Sequence, residues 1–424
     1  MKKLFVFFGV LMMTIFLTSA FAPRAEAKRT VRMWSYAKNN VEEWESRKAD
    51  IEARFNINLD IELVAQNAFV QKLQAVMMEG RNVPDVIEWM IDTNRILNAD
   101  PKKSFVIPLD KYIAESEIFP SVVKGRVQWV TYGNHVYGLP HDVHPVVLVY
   151  NDTLWKSVGV DLAQIKTWDE FFEKSKKLTE AKKGGKPIHY ALPYGKNGLN
   201  NTMFMIWQQT GSQILDTNGR PDFTSPKFTA FVKKWLAWQK TNAFSTWDWG
   251  NFSALLANGT LASYISPDWW IPQVDEAAKR YKFKVRDLPM YSGGSPTTAS
   301  WGGTFLAIPK GTENPDQIFS IIEAMQYDKD AMIVRWEKTC MLPPMANIWD
   351  HPAFKKADSR FGGQPLGSIM VSSALDLPKI NTGDVFWDAI SDFAGEYTEM
   401  ATGKKSVEDG LVATQTKAMN RIEK

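Results

Sequence analysis

The sequence predicts an α/β protein of two domains. Three observations carry that reading. Short apolar runs alternate with helical patterns from residue 30 onward, which calls for strands paired in parallel and helices packed on the sheet faces. At 424 residues the chain exceeds what a single hydrophobic core ordinarily supports. Proline-marked stretches at residues 140–145 and 341–344, with a Gly/Ser/Thr-rich stretch at 292–303, interrupt the pattern where the chain can pass from one domain to the other.

Taken in order, a strand at 30–34 leads into a helical pattern at 41–55, and a second strand at 58–64 into a helix at 69–79 that Gly80 can end in a left-handed conformation. Pro84 precedes a third strand at 85–89. Residues 127–131 and 136–139 flank Tyr132-Gly-Asn-His135 and read as a hairpin, after which 146–150 form a buried strand. Thr167-Trp-Asp-Glu170 is a capping box that opens a helix with a lysine-rich outer face. Ser225-Pro226 opens another, with Phe228, Phe231, Trp235 and Trp238 at core spacing. Strands at 283–288 and 304–309, helices over 315–337, and helical patterns at 384–402 and 407–423 complete the chain.

Residues 1–27 read as a secretory leader. Lys2-Lys3 supply the positive start, residues 4–17 the apolar run, and Ala25-Glu26-Ala27 a small-residue cleavage site. An uncleaved membrane anchor is the alternative, against which Thr14, Thr18, Ser19 and Pro23 argue. The one cysteine, Cys340, is far from the cleavage point, so neither a lipid attachment nor an internal disulfide is expected. Cys340 is read as a small buried hydrophobe. The expectation is a periplasmic protein, cleaved after Ala27, soluble and monomeric.

Charge and motifs exclude several classes. Lys plus Arg number 50 against 47 Asp plus Glu, a net of +3, and the basic run at 174–186 is broken by Glu180 and apolar residues, so nucleic acid is not an expected partner. There is no zinc-protease motif, nucleophile elbow, Walker loop or dinucleotide fingerprint, and Gly184-Gly185-Lys186-Pro187 lacks the hydroxyl residue of a phosphate loop. His141-Asp142-x-His144 is an i, i+3 pair in a proline-flanked loop and is not read as a metal site. No cofactor and no metal are expected. Carboxylates are plentiful, so composition leaves a glycosidase open.

Tryptophan is the positive signal. The chain holds 17, and Ala262-Ser-Tyr-Ile-Ser-Pro-Asp-Trp-Trp270 runs an apolar strand into two of them. An indole joins a rigid apolar face to one donor at its edge, which suits a ligand that is apolar on one side and hydroxylated at its rim. Ligands of α/β sheets sit at the carboxyl ends of strands, where Trp34, Gln66, Trp89 and Asp92 lie, and Trp301 precedes Gly302-Gly303 at a comparable place.

Several of these segments carry a resemblance. Asp85-Val-Ile-Glu-Trp-Met-Ile-Asp92 resembles the third-strand motif of the maltose/maltodextrin-binding proteins, in which a tryptophan and an aspartate three residues later hold the sugar. Val149-Tyr-Asn-Asp-Thr-Leu154 and Thr167-Trp-Asp-Glu170 are similar to segments of the wider family of sugar-binding proteins of ABC importers. Residues 252–270 resemble that family's helix, strand and Gly-x-Trp. Phe386-Trp387 stands where those proteins carry a C-terminal stacking tryptophan. The order and spacing of these motifs cover nearly the whole chain after the leader.

The resemblance implies a periplasmic-binding-protein fold, two α/β lobes joined by a multi-strand hinge with a ligand cleft between them: an N-terminal lobe of residues 28–140 and 300–344 and a C-terminal lobe of residues 141–299 and 345–424. It implies a non-enzymatic carrier that passes a mono- or oligosaccharide or a sugar alcohol to ABC permease subunits in the inner membrane. Trp89 and Asp92 would line one lobe, and Trp269 and Trp387 would stack on sugar from the other, with Trp270 packing behind Trp269 or forming a second platform. The match departs at Thr93, at Lys38 and Asn39, and at His144, which falls near the family's cleft glutamate. Those departures imply a changed hydroxyl code, hence a sugar other than maltose. The rival class is a secreted carbohydrate-active enzyme using the same aromatic cleft.

Overall fold

Strand β1 (Arg29–Ser35) and β2 (Ile57–Leu63) pair in parallel over their full length, connected by helix α1 (Lys38–Phe55). Asn56, in a left-handed conformation at φ 53°, closes α1 and turns the chain directly into β2. Helix α2 (Phe69–Glu79) ends on Gly80 at φ 63°, as expected, and β3 (Val86–Met90) joins the other edge of β1. The computed structural model describes residues 28–91, 96, 101–194, 199, 201–383 and 385–422. The expected leader, Asp92 and Thr93 lie outside the described residues.

The hairpin expected after residue 127 is shorter than its apolar run suggests. Residues Lys124–Val127 and Gln128–Val130 are helical turns, and only Thr131–Tyr132 and His135–Val136 pair, across Gly133 and Asn134 at φ 54° and 67°. A short apolar run does not by itself separate strand from helix. Here the helical turns carry Arg126 inward, fully buried.

The chain then forms β4 (Leu139–Pro140), β5 (Val146–Asn151), α3 (Trp168–Glu180), α4 (Thr202–Gln208), α5 (Pro226–Gln239), β6 (Ser263–Pro267) and β7 (Phe283–Arg286). It continues through β8 (Thr304–Ala307), α6 (Pro315–Gln326), α7 (Lys329–Thr339), α8 (Leu366–Leu375), α9 (Phe386–Ala401) and α10 (Val407–Ile422). The capping box at Thr167 and Glu170 is formed in full. Ser225 precedes α5 without capping it and donates instead to the Asp222 carbonyl at 3.2 Å, while Phe228, Phe231, Trp235 and Trp238 are core residues.

Two sheets organise these elements. The first has the order β2-β1-β3-β8-β4, with β8 antiparallel to both its neighbours. The second has the order β6-β5-β7, antiparallel throughout. Its central strand is buried along its whole length, and each of the side chains from Val146 to Val149 contributes roughly 1.5–3 kcal/mol on burial. Strand β8 returns to the first sheet after more than 150 residues spent elsewhere, so the chain must cross between the sheets repeatedly.

Three crossing segments meet side by side. His141 N–H donates to the Thr304 carbonyl at 3.0 Å, Val143 N–H to Leu342 at 3.2 Å, and Val146 N–H to Ala299 at 3.0 Å. The crossings are thus laced together by backbone hydrogen bonds and the isolated bridge between Pro145 and Ser300, where the proline-marked and Gly/Ser/Thr-rich stretches fall in the sequence.

Candidate ligand cleft

A cavity of about 890 Å³ opens against this hinge, within the range of small-molecule sites. Tyr36, Asn40, Gln66, Met90 and Ile91 line it from the first sheet's strand ends. Phe204, Trp249, Trp269 and Trp387 line it from the other side, and Asp142, His144, Trp301, Gly302, Gly303 and Met341 form the part contributed by the crossings.

The hinge side of the cavity is built on buried charge. His144 sits at φ 54° with its Nε2 2.9 Å from Asp142 and its Nδ1 2.5 Å from Asp268. Carboxylates only accept, so a ring held by two of them donates from both nitrogens and is an imidazolium. Burial alone would lower its pKa, but the charges and hydrogen bonds of Asp142 and Asp268 overcome that and hold it at about 9. Burial would likewise raise Asp142, yet His144, His141 and Arg126 keep its carboxyl well below the usual range.

Arg126 completes the cluster. Its Nε donates to the Asp142 carbonyl at 3.1 Å, Nη1 to Ser300 Oγ at 3.0 Å and Nη2 to the Gly302 carbonyl at 2.8 Å. Asp268 Oδ2 accepts the Leu342 N–H at 2.6 Å. One charge cluster therefore ties together all three crossings. Gly303 makes room for it, since a Cβ there would lie 1.1 Å from Arg126 Nη2.

The aromatic wall follows from the strand end at β6. Pro267 closes the strand, and Asp268–Val274 form a 3-10 helix that separates the tandem tryptophans. Trp270 turns inward, 2% exposed, stacked on Phe252 at 4.1 Å, as packing behind its neighbour. Trp269 turns to the cleft, 5.1 Å from Trp301, and its Nε1 donates to the Trp301 carbonyl at 3.2 Å. Gly302, at φ 85°, gives this indole its place, because a Cβ would stand 3.1 Å from Trp269 Nε1. Trp387, at the start of α9, packs on Phe204 and Phe386 while its Nε1 has no partner.

Of the residues singled out in the sequence, Gln66, His144, Trp269, Trp301, Gly302 and Trp387 come together at the cavity. Trp34 and Trp89 do not, which corrects the expectation for both. Trp34 is 4% exposed, edge-on to Phe69 and covered by Lys72, whose Nζ is 4.2 Å from its ring. Trp89 is fully buried against Phe305 at 5.8 Å and fills the space left by Gly138. Both stand inside strands whose faces are covered, so the cleft begins just beyond them, at Tyr36 after β1 and at Met90–Ile91 where β3 ends. Among the lining residues not singled out is Trp249, 66% exposed in the loop before Phe252; its signal is the pair of tryptophans in Trp247-Asp-Trp-Gly250, a turn sequence carrying two large apolar side chains.

His141 and His144 are both drawn into ion pairs and hydrogen bonds of the hinge, and no metal-ligand cluster occurs among the described residues. Cys340 is buried and accepts from Arg360 Nη2 at 3.2 Å.

Two α/β lobes around a polar hinge, with an aromatic wall facing the gap, define a two-lobed solute-binding protein. The family comparison agrees: the bacterial extracellular solute-binding protein family matches residues 47–361, and the chain belongs to that family. Among curated relatives, an arabinooligosaccharide-binding protein of Halalkalibacterium halodurans is 21% identical over 86% of this chain and 82% of its own length. A protein of the same description from Bacillus subtilis is 22% identical over 89% of this chain and 88% of its own. Among solved structures, the sugar-binding protein MalE of Xanthomonas citri superposes with a TM-score of 0.75 at 18% identity, over 92% of this chain and 96% of that one.

Proposed function

We propose that the protein captures a neutral carbohydrate between its lobes and delivers it to the permease of an ABC importer. The observation that carries this reading is the pairing of Trp269 and Trp301 on one side of the cavity with Trp387 and its unpartnered Nε1 on another. Indole faces suit the apolar side of a pyranose or furanose ring. Asp142 is the one carboxylate among the described lining residues, and its oxygens are engaged by His144, Arg126 and Thr304. Among the described residues the lining therefore offers a cationic ligand no free counter-ion and does not show the two available carboxylates of a glycosidase. Carriage rather than turnover is our reading.

The relatives of similar length that bind arabino-oligosaccharides favour an oligosaccharide, and 890 Å³ has room for more than one sugar ring. The proposed lobes are residues 28–140 with 300–344 and residues 141–299 with 345–424. Sugar bound across both stabilises the closed form in proportion to its extra affinity for that form, and the permease reads closure. The proposed location is the periplasm, as a monomer cleaved after Ala27; among the described residues no helix is long and apolar enough to cross a membrane.

The test is a thermal-shift screen over monosaccharides, neutral oligosaccharides and sugar alcohols, with product analysis after incubation. Stabilisation without product is the expected result. Turnover of any sugar overturns the carrier reading, and no shift with any of them overturns the carbohydrate reading.

A further inference from the structure

We propose that the lysine-rich hairpin at residues 182–187 is a docking surface for anionic lipid headgroups, by which the protein is held against a membrane. Residues 174–186 contain six lysines and no arginine against one acid, Glu180, in a chain whose formal net charge is only +3. Lys182–Lys183 and Lys186–Pro187 pair as two short antiparallel strands across Gly184 and Gly185, at φ 58° and 76°, and all three lysines are exposed. Lys182 and Lys186, with Lys176 and Lys240, border a surface groove of about 740 Å³ that shares no lining residue with the ligand cleft. Glu180 is the one carboxylate among the groove's described lining residues.

The hairpin's register sets Lys183 directly opposite Lys186, and like charges facing each other across a ladder are destabilising. Neighbouring lysines have local roles: Lys176 pairs with Glu173 at 2.5 Å, and Lys177 lies in the last turn of α3, where a cation suits the helix dipole. Lys182, Lys183 and Lys186 form no ion pair among the described residues. The residue type points to the partner. Specific protein interfaces favour arginine and are depleted in lysine, because a guanidinium fixes its partner through paired hydrogen bonds while an ammonium on a flexible stem is a hydrated point charge. A patch of lysines alone suits a diffuse layer of phosphate charge, such as a bilayer of anionic lipid presents. Ile188, 43% exposed at the base of the hairpin, where its N–H donates to the Ala181 carbonyl at 2.9 Å, adds an apolar contact for the boundary between headgroups and acyl chains.

The experiment sediments the protein with vesicles of phosphatidylglycerol and phosphatidylcholine in equal parts, and with vesicles of phosphatidylcholine alone, at low and at high salt. Wild-type protein should bind the anionic vesicles at low salt, leave them at high salt and ignore the zwitterionic ones. Lys182→Gln, Lys183→Gln and Lys186→Gln together should weaken binding on the order of a hundredfold, about fivefold for each charge, while Lys182→Arg, Lys183→Arg and Lys186→Arg together should retain it. Urea midpoints check the fold, and the glutamine variant should match or exceed wild type because the repulsion between Lys183 and Lys186 is gone. No binding to anionic vesicles, equal binding to both kinds, or full binding by the glutamine variant overturns the proposal. So does binding to polyglutamate that depends on the three lysines without binding to vesicles, which assigns the hairpin to an acidic protein partner. The readout contains no sugar, so its failure is distinct from failure of the carbohydrate reading.

Discussion

His144 and Asp268, 124 positions apart in the chain, meet through Nδ1 and Oδ1 at 2.5 Å, with the second ring nitrogen on Asp142. The first residue belongs to a crossing segment and the second directly follows β6, so this contact ties the second sheet to the hinge. Its charge state should be visible in the stability of the whole protein.

Folding raises the His144 pKa from its ordinary 6.5 to about 9. A group raised by folding stabilises fully below its unfolded value, and the contribution drains away as pH climbs through the folded one. Stability should therefore fall between pH 6.5 and 9, by an amount on the order of 3 kcal/mol. Urea midpoints at pH 6, 7.5, 9 and 10 measure it. His144→Asn, which tolerates the positive φ, should be less stable at pH 6 and lack the alkaline decline. A wild-type midpoint flat across this range contradicts the assignment.

The two hinge glycines should fail differently. Gly303→Ala places a methyl group on Arg126 at a φ of 124°, and a displaced buried guanidinium costs about 3–5 kcal/mol, a large share of an ordinary folding stability. Gly302→Ala meets only the edge of Trp269, so folding should survive with roughly 1–3 kcal/mol lost, and sugar affinity should drop because that indole is displaced. Thermal melts with calorimetry on the folded variant separate the cases; equal behaviour of the two counts against the geometry.

Tryptophans of the cleft and of the core should also separate. Trp269→Ala should lower affinity about tenfold or more with a small change in stability. Trp89→Ala, emptying a fully buried site, should cost about 3–5 kcal/mol. Trp89→Phe should keep most of the ligand affinity in whatever fraction folds. A large affinity loss in Trp89→Phe with normal stability would return Trp89 to the binding surface.

Trp387→Phe isolates one atom. Because Nε1 has no partner among the described residues, its removal breaks none of the described hydrogen bonds and should leave the melting temperature nearly unchanged. Affinity should fall by about 0.5–1.5 kcal/mol if that donor meets a sugar hydroxyl. Unaltered affinity would assign Trp387 to stacking alone.

The alternation of strands and helices, the capping box and the proline-marked crossings were legible because each is written in a local pattern. Trp269 was legible for the same reason, since a proline after an apolar strand marks where a side chain can leave the sheet. Trp34 and Trp89 misled because a strand end defined by apolar pattern still lies inside the sheet, and the first cleft residues come one or two positions later. The ion cluster was illegible because Asp268, 124 positions from His144, joins Arg126, Asp142 and His144 only through the fold. Trp249 was missed because a loop position gives no periodicity to read.

The interlaced crossings have a mechanical consequence. Where three segments share backbone hydrogen bonds and one charge cluster, bending is costly, so the hinge acts as a stiff pivot and the compliance of opening and closing belongs to the residues flanking it. The amides of Val143, Val146 and Leu342 should then be among the slowest in the molecule to exchange with deuterated water, in a place where a moving joint would ordinarily exchange fast.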